Sequence, residues 1–213
     1  MRKKRFVPVP RAAVDYFRPG EEADQFERGD FILTHSSTWA GTFIRFGQRL
    51  RIHGEDRKYA YWNHAAIVVS GSGDLIESLG VGVSRTHISK YKPAEYQLVC
   101  TGASPEDRKQ AVAFAEWAAG DGQGNGRQRY DFLTIASLAY SLLSGGKFTL
   151  CMEGHMICSC LVARAMERTG VIYNRGATHI MPADLAKYYQ VQPPAQEEPA
   201  SRPTSVGRMR SRT

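Results

Sequence analysis

Two segments constrain this chain more than any other feature, and they come in a particular order. Trp62-Asn63-His64-Ala65-Ala66-Ile67-Val68-Val69 reads as a buried β-strand opened by a histidine. About ninety residues later, Ile157-Cys158-Ser159-Cys160-Leu161-Val162-Ala163-Arg164-Ala165 reads as a helix opened by a cysteine. A thiol at a helix N-terminus has its pKa lowered by the unpaired N–H groups and the macrodipole there, and an imidazole on a neighbouring strand can take its proton. Residues of these types, brought together, point to nucleophilic catalysis.

Helical spacing separates the two cysteines. Cys158, Leu161, Val162 and Ala165 fall at i, i+3, i+4 and i+7 and share one apolar stripe. Cys160 falls with Arg164, Glu167 and Arg168, so a surface or half-buried thiol is expected there. Cys158 is the candidate nucleophile and His64 its base. A lone histidine on an apolar strand is usually a satisfied core residue, and only the partnership with Cys158 argues otherwise.

Glu77 is the third candidate. It sits in Leu75-Ile76-Glu77-Ser78-Leu79, a strand otherwise suited to burial, and a buried carboxylate needs a partner. A hairpin turning at Gly71-Ser72 would pair Glu77 with Ala66 and set it diagonal to His64, roughly 7–8 Å away at Cα. A one-residue slip would send the carboxylate to the other face, so the role of Glu77 depends on register.

Around these segments the chain reads as one α+β domain. Residues 1–28 form a loosely ordered lead-in, and Gly29-Asp30 turns into a short strand. From residue 37 to 51, Trp39, Phe43, Phe46 and Leu50 recur at helical spacing and predict a helix packed on the core, in preference to a membrane-binding one. Further strands are expected near residues 81–88 and 96–100. Ser104-Pro105-Glu106-Asp107 is a helix start with a capping acid. A glycine-rich connection at 120–126 and a helix at 131–144 follow, then the cysteine helix ending at Gly170 and a short helix after Met181-Pro182. The Pro- and Arg-rich residues 192–213 read as a disordered tail. Strands early and helices late define the α+β class.

The 213 residues suffice for one cored domain, and the net charge of +7 is concentrated at the termini, with Arg2, Lys3, Lys4 and Arg5 at one end and Arg202, Arg208, Arg210 and Arg212 at the other. Such clusters would give at most weak contact with a polyanion, and solvated tails are the plainer reading. The N-terminal Phe6-Val7-Pro8-Val9-Pro10 is too short and broken for a signal peptide's core, and the longest apolar stretch, 132–143, falls short of a membrane span. Three of the four cysteines lie within ten residues, a poor disulfide framework. A reducing, cytoplasmic setting is the default, with a virus particle or unconventional export as the other settings. A zinc site built from Cys151, His155, Cys158 and Cys160 is the rival reading. It is disfavoured because Cys158-x-Cys160 is tighter than usual zinc spacing and no second ligand pair follows. A structural or polyanion-binding module is the third reading, and no nucleic-acid motif supports it.

Several motifs taken in order carry a resemblance. Gly29-Asp30, Asn63-His64-Ala65-Ala66-Ile67-Val68, Leu75-Ile76-Glu77-Ser78, Tyr130-Asp131-Phe132, Cys158-Ser159-Cys160-Leu161-Val162 and Met181-Pro182-Ala183-Asp184-Leu185 together resemble the circularly permuted papain-like hydrolases, the YiiX-like branch of the NlpC superfamily. In papain itself the cysteine precedes the histidine; here the order is reversed. The resemblance covers residues 29–191 and implies a papain-like fold with Cys158 as nucleophile, His64 as base and Glu77 as the third polar residue. It implies no cofactor or metal, and a small-molecule, peptide or lipid substrate with an amide or ester bond. Tyr130, Asn63 and Ser159 would lie at the substrate, with Ser36, Ser37 and Trp39 as further cleft candidates. The position after Cys158-Ser159 is commonly an acid in that pattern and is Cys160 here.

Overall fold

A computed structural model of the chain describes residues 12–36, 39–79, 82–120, 158–174 and 176–194. Six strands form one antiparallel sheet: β1 (Ala13–Phe17), β2 (Phe31–Thr34), β3 (His64–Val68), β4 (Asp74–Leu79), β5 (Gly82–His87) and β6 (Tyr96–Cys100), in the order β1-β6-β2-β3-β4-β5. The helices are α1 (Trp39–Arg51), α2 (Pro105–Ala119), α3 (Cys158–Glu167) and α4 (Pro182–Tyr188). Short 3-10 segments cover Gly54–Tyr61, Ile88–Tyr91 and Ala177–His179. The class is α+β, with the cysteine helix packed on the sheet.

The alternation of the strands explains why both faces of the sheet are covered. Phe31, Leu33, Ala65, Ile67, Ile76 and Val99 point to one side and join Val112, Ala115, Leu161, Val162 and Leu185 from the helices in the main core. Ile32, Ala66, Val68, Leu75 and Leu98 point to the other side and meet Ala23, Ile88 and Tyr91. Burying apolar area on both faces is the main favourable term, at about 25 cal/mol per Å².

The lead-in contributes more than loose chain: β1 pairs with β6 from Ala13↔Cys100 to Phe17↔Tyr96. Sequence patterning gives no sign of this strand, because at an edge Ala13, Asp15 and Tyr16 stay exposed and no apolar alternation results. Gly29 and Asp30 lock the next turn. Gly29 takes φ +88°, and a Cβ there would meet Arg108 at 3.1 Å. The buried Asp30 accepts from the Thr101 N–H at 2.9 Å and from Arg108 Nη1 at 2.7 Å, tying β2 to β6 and α2. Helix α2 begins as its sequence indicates, with the Ser104 hydroxyl accepting from the Asp107 N–H at 3.2 Å.

Two sequence expectations are corrected. Helix α1 leaves Phe46 and Leu50 of its apolar stripe in water, 57% and 46% exposed. Its inward face carries Gly41 and the fully buried Gln48. Gln48 Nε2 donates to the Trp62 carbonyl at 2.8 Å, and its Oε1 accepts from the Ala183 N–H at 2.8 Å. That side chain satisfies two backbone groups, one at the approach to β3 and one in the first turn of α4, which no apolar residue could do. Cys160 is the second correction, being fully buried instead of surface-facing. Helix α3 is enclosed by the sheet, α2, α4 and the Ala177–His179 segment, leaving only Glu167 exposed and Arg164 partly so. A simple amphipathic wheel assumes one wet face, and this helix has almost none.

The expected helix at 131–144, most of the connection at 120–126, and residues Tyr130, Ser37, Cys151 and His155 lie outside the described residues.

Candidate active site

The site forms where the β3–β4 ladder ends. That ladder pairs Val68 with Leu75, Ile67 with Ile76 and Ala66 with Glu77, and goes no further. Ala65 therefore has no partner on β4, and its N–H points instead at the Cys158 sulfur, as does the N–H of Ser159. Cys158 is the first described residue of α3 and only 4% exposed. His64 opens β3, so it lies at the same end of the ladder.

The register is the one that puts Glu77 and His64 on a common face. His64 Nε2 lies 2.6 Å from Glu77 Oε2. The imidazole is also hydrogen-bonded to the Cys158 thiol, which with Nε2 engaged leaves Nδ1 for the sulfur. The three candidates thus form one chain, Cys158–His64–Glu77, running from the helix-covered side of the sheet to the other. His64 spans both sides because no β4 residue pairs beside it.

Glu77 is fully buried and saturated with donors. Oε2 accepts from His64 Nε2 and from the Tyr91 hydroxyl. Oε1 accepts from the Thr86 hydroxyl at 2.7 Å and from Lys90 Nζ at 2.6 Å. A carboxylate offers about four lone-pair sites, and here all four are used. Burial alone would raise the Glu77 pKa, but the bonds and charge of His64, with Lys90 and Thr86, overcome it and hold the carboxyl down to about 2. An ionised acceptor at that position requires a proton on Nε2, so the tautomer follows from the hydrogen bonds.

Burial likewise opposes the imidazolium, yet the Cys158 thiolate and the Glu77 carboxylate outweigh it and lift His64 to about 9. For Cys158 burial disfavours the thiolate, while His64 and the N–H groups of Ala65 and Ser159 more than offset it and lower the thiol pKa. The two groups favour a shared state, thiolate beside imidazolium. Cys100 is the contrast: burial and Asp30 push its thiol up to about 11.

Two of the substrate-side candidates have structural bonds. Asn63 is buried; its Nδ2 donates to the Ser36 and Gly41 carbonyls at 2.7 and 3.2 Å, and its Oδ1 accepts from the Ser36 N–H at 2.8 Å. It latches the chain after β2 to the start of α1, and a Cβ on Gly41 would stand 2.6 Å from the Ser36 carbonyl. The Ser159 hydroxyl is fully buried and donates to the Ile180 carbonyl at 2.7 Å, pinning the α3 N-terminus to the segment before α4. What Ser159 offers the site is its backbone N–H.

Lys90, Tyr91 and Thr86 escaped the sequence reading. Their signal was weak: only Ile88-Ser89-Lys90-Tyr91, placing a cation and a phenol just beyond a strand, hinted at partners for Glu77. Among the described residues no cluster of three or more His, Cys, Asp or Glu could hold a metal ion. Among them, too, no helix is long and apolar enough to cross a membrane. Compared with known proteins, the chain matches no family model and no curated protein.

Proposed function

We propose that this chain is a cysteine-nucleophile hydrolase of amide or ester bonds, built on a circularly permuted papain-like domain. The observation that carries the reading is the relay from Glu77 through His64 to a thiol at a helix N-terminus, three groups distant in sequence and each in hydrogen-bond contact with the next. The resemblance of the ordered motifs supports it independently.

The chemistry follows from the charges. The Cys158 thiolate attacks the substrate carbonyl carbon, and the π electrons move to oxygen to give a tetrahedral oxyanion. The N–H groups in the first turn of α3 are donors suited to that oxyanion. As the oxyanion collapses, the bond to the leaving amine or alcohol breaks and the His64 imidazolium supplies its proton. The remaining thioester is attacked by water, whose proton returns to His64, and the carboxylic acid departs to regenerate the thiolate. Glu77 touches none of the reacting atoms; it positions the imidazole and fixes its tautomer.

A panel of electrophilic amides and esters, with mass-spectrometric identification of the labelled residue, tests the reading. Acylation at Cys158, absent from Cys158→Ala, is the expected result. No acylation at Cys158 by any member, or turnover that survives Cys158→Ala, would overturn it.

A further inference from the structure

Four donors converge on the buried Glu77 carboxylate, and only one of them belongs to the relay. Lys90 and Tyr91 come from the Ile88–Tyr91 segment that covers the sheet face opposite the main helices, and Thr86 comes from β5. The pairing is uneven in a telling way. Glu77 is fully buried, while the Lys90 side chain that contacts it is 42% exposed. A lysine on the surface thus reaches inward to a carboxylate that water does not touch. The Tyr91 ring also stacks near the His64 imidazole, at 6.0 Å between centroids.

We propose that Lys90 and Tyr91 are positioning residues that hold Glu77 in place and set the pH range over which the Cys158 thiolate and His64 imidazolium coexist. This rests on the hydrolase reading for its purpose but not for its physics. The charged and titratable groups facing Glu77 are His64 from β3 and Lys90 and Tyr91 from the covering segment, with Cys158 of α3 beyond the imidazole. Tyr91 acts only as a donor, since burial and then Glu77 push its phenol well above the ordinary range. Lys90 cancels part of the field that the carboxylate exerts on the imidazole. Without it, that field is stronger and the imidazolium persists to higher pH. The thiolate also loses a nearby cation, so Cys158 ionises at higher pH. The whole window moves upward. Tyr91 acts differently: it shares Oε2 with His64 and fixes the direction in which that oxygen presents its lone pair.

NMR titration of the His64 imidazole, in parallel with the pH dependence of Cys158 alkylation by iodoacetamide, tests this on the full chain. In Lys90→Met the His64 midpoint should rise by about half a pH unit, and the acid limb of alkylation should rise with it. Lys90→Arg should restore both. Lys90→Gln, which keeps a donor without the charge, gives the same readout as Lys90→Met and serves if the apolar variant does not fold. Tyr91→Phe should lower the alkylation rate at its optimum about threefold or more, with the fold intact by circular dichroism. An unmoved His64 midpoint in both Lys90→Met and Lys90→Gln overturns the role of Lys90, and an unchanged rate in Tyr91→Phe overturns that of Tyr91. The hydrolase reading fails separately: a shifting His64 midpoint in a protein that no amide or ester acylates upholds the clamp and removes the enzyme.

Discussion

Ala66 and Glu77 face each other across the β3–β4 ladder, and that one pairing places the Glu77 carboxylate 2.6 Å from the His64 imidazole. Side chains two residues apart on a strand share a face, so Glu77 opposite Ala66 must lie beside His64. An odd register would have turned every β4 side chain over and delivered the carboxylate to the helix-covered face with Ala65 and Ile67, away from Lys90 and Tyr91.

The three described cysteines should differ sharply in reactivity. At neutral pH iodoacetamide is expected to modify Cys158 well before Cys100, because His64 stabilises one thiolate while burial and Asp30 suppress the other, and the fully buried Cys160 should resist until the protein unfolds. Peptide mapping after timed alkylation checks the order. Cys160→Ala should keep Cys158 reactive but lower stability by about 1–2 kcal/mol, since Cys160 is fully buried in the core. Thermal unfolding measures that loss.

Stability should fall toward acid and hold level across neutral pH. Glu77 is held at about 2 against an ordinary 4.5, so its contribution is present above pH 4.5 and is lost as pH drops toward 2. His64 is raised from 6.5 to about 9, so its contribution is present below pH 6.5 and is lost as pH rises through 9. Cys158 is lowered from 9 and gains its contribution over the same span, so the pair offsets between pH 6.5 and 9. Urea midpoints should therefore decline on the acid side and change little between pH 6.5 and 9. In Glu77→Gln the acid-side decline should be shallower.

Glu77→Gln should also slow acylation more than it weakens substrate binding. The amide keeps the shape but presents neutral groups, one of them a donor, to four donors, and it no longer favours the imidazolium. A stability loss of about 2–3 kcal/mol is expected from the broken buried pairing, softened because the half-exposed Lys90 can turn outward. Separate kcat and KM values with an activated ester, read beside circular dichroism, check both parts.

Helix α1 supplies a pair of opposite expectations. Phe46→Ser should change stability by no more than about 0.5 kcal/mol, because that ring is already 57% exposed. Gln48→Leu should lose about 2–4 kcal/mol, since it strands the Ala183 N–H and the Trp62 carbonyl. Chemical denaturation of the two variants distinguishes this arrangement from a helix buried by its apolar stripe.

By itself the sequence determined what local patterning can carry. The apolar runs of β3, β4 and β6 and the Ser104 cap of α2 are each set by a few adjacent residues, and each stands where periodicity places it. The turn at Gly71-Ser72 was legible too, but its register was left open by one residue and was settled by the Ala66–Glu77 pairing. Tertiary structure decided the rest. Which face of α1 turns inward was settled by Gln48 finding two backbone partners, and the burial of Cys160 by neighbours on nearly every side of α3. The pairing of β1 with β6 joins residues 79 to 87 positions apart, and the Lys90–Tyr91–Thr86 clamp needs the chain to fold across the sheet face bearing Glu77. Periodicity reports only whether a residue prefers water; which partner satisfies a buried polar group depends on contacts between distant segments, and those exist only once the chain has folded.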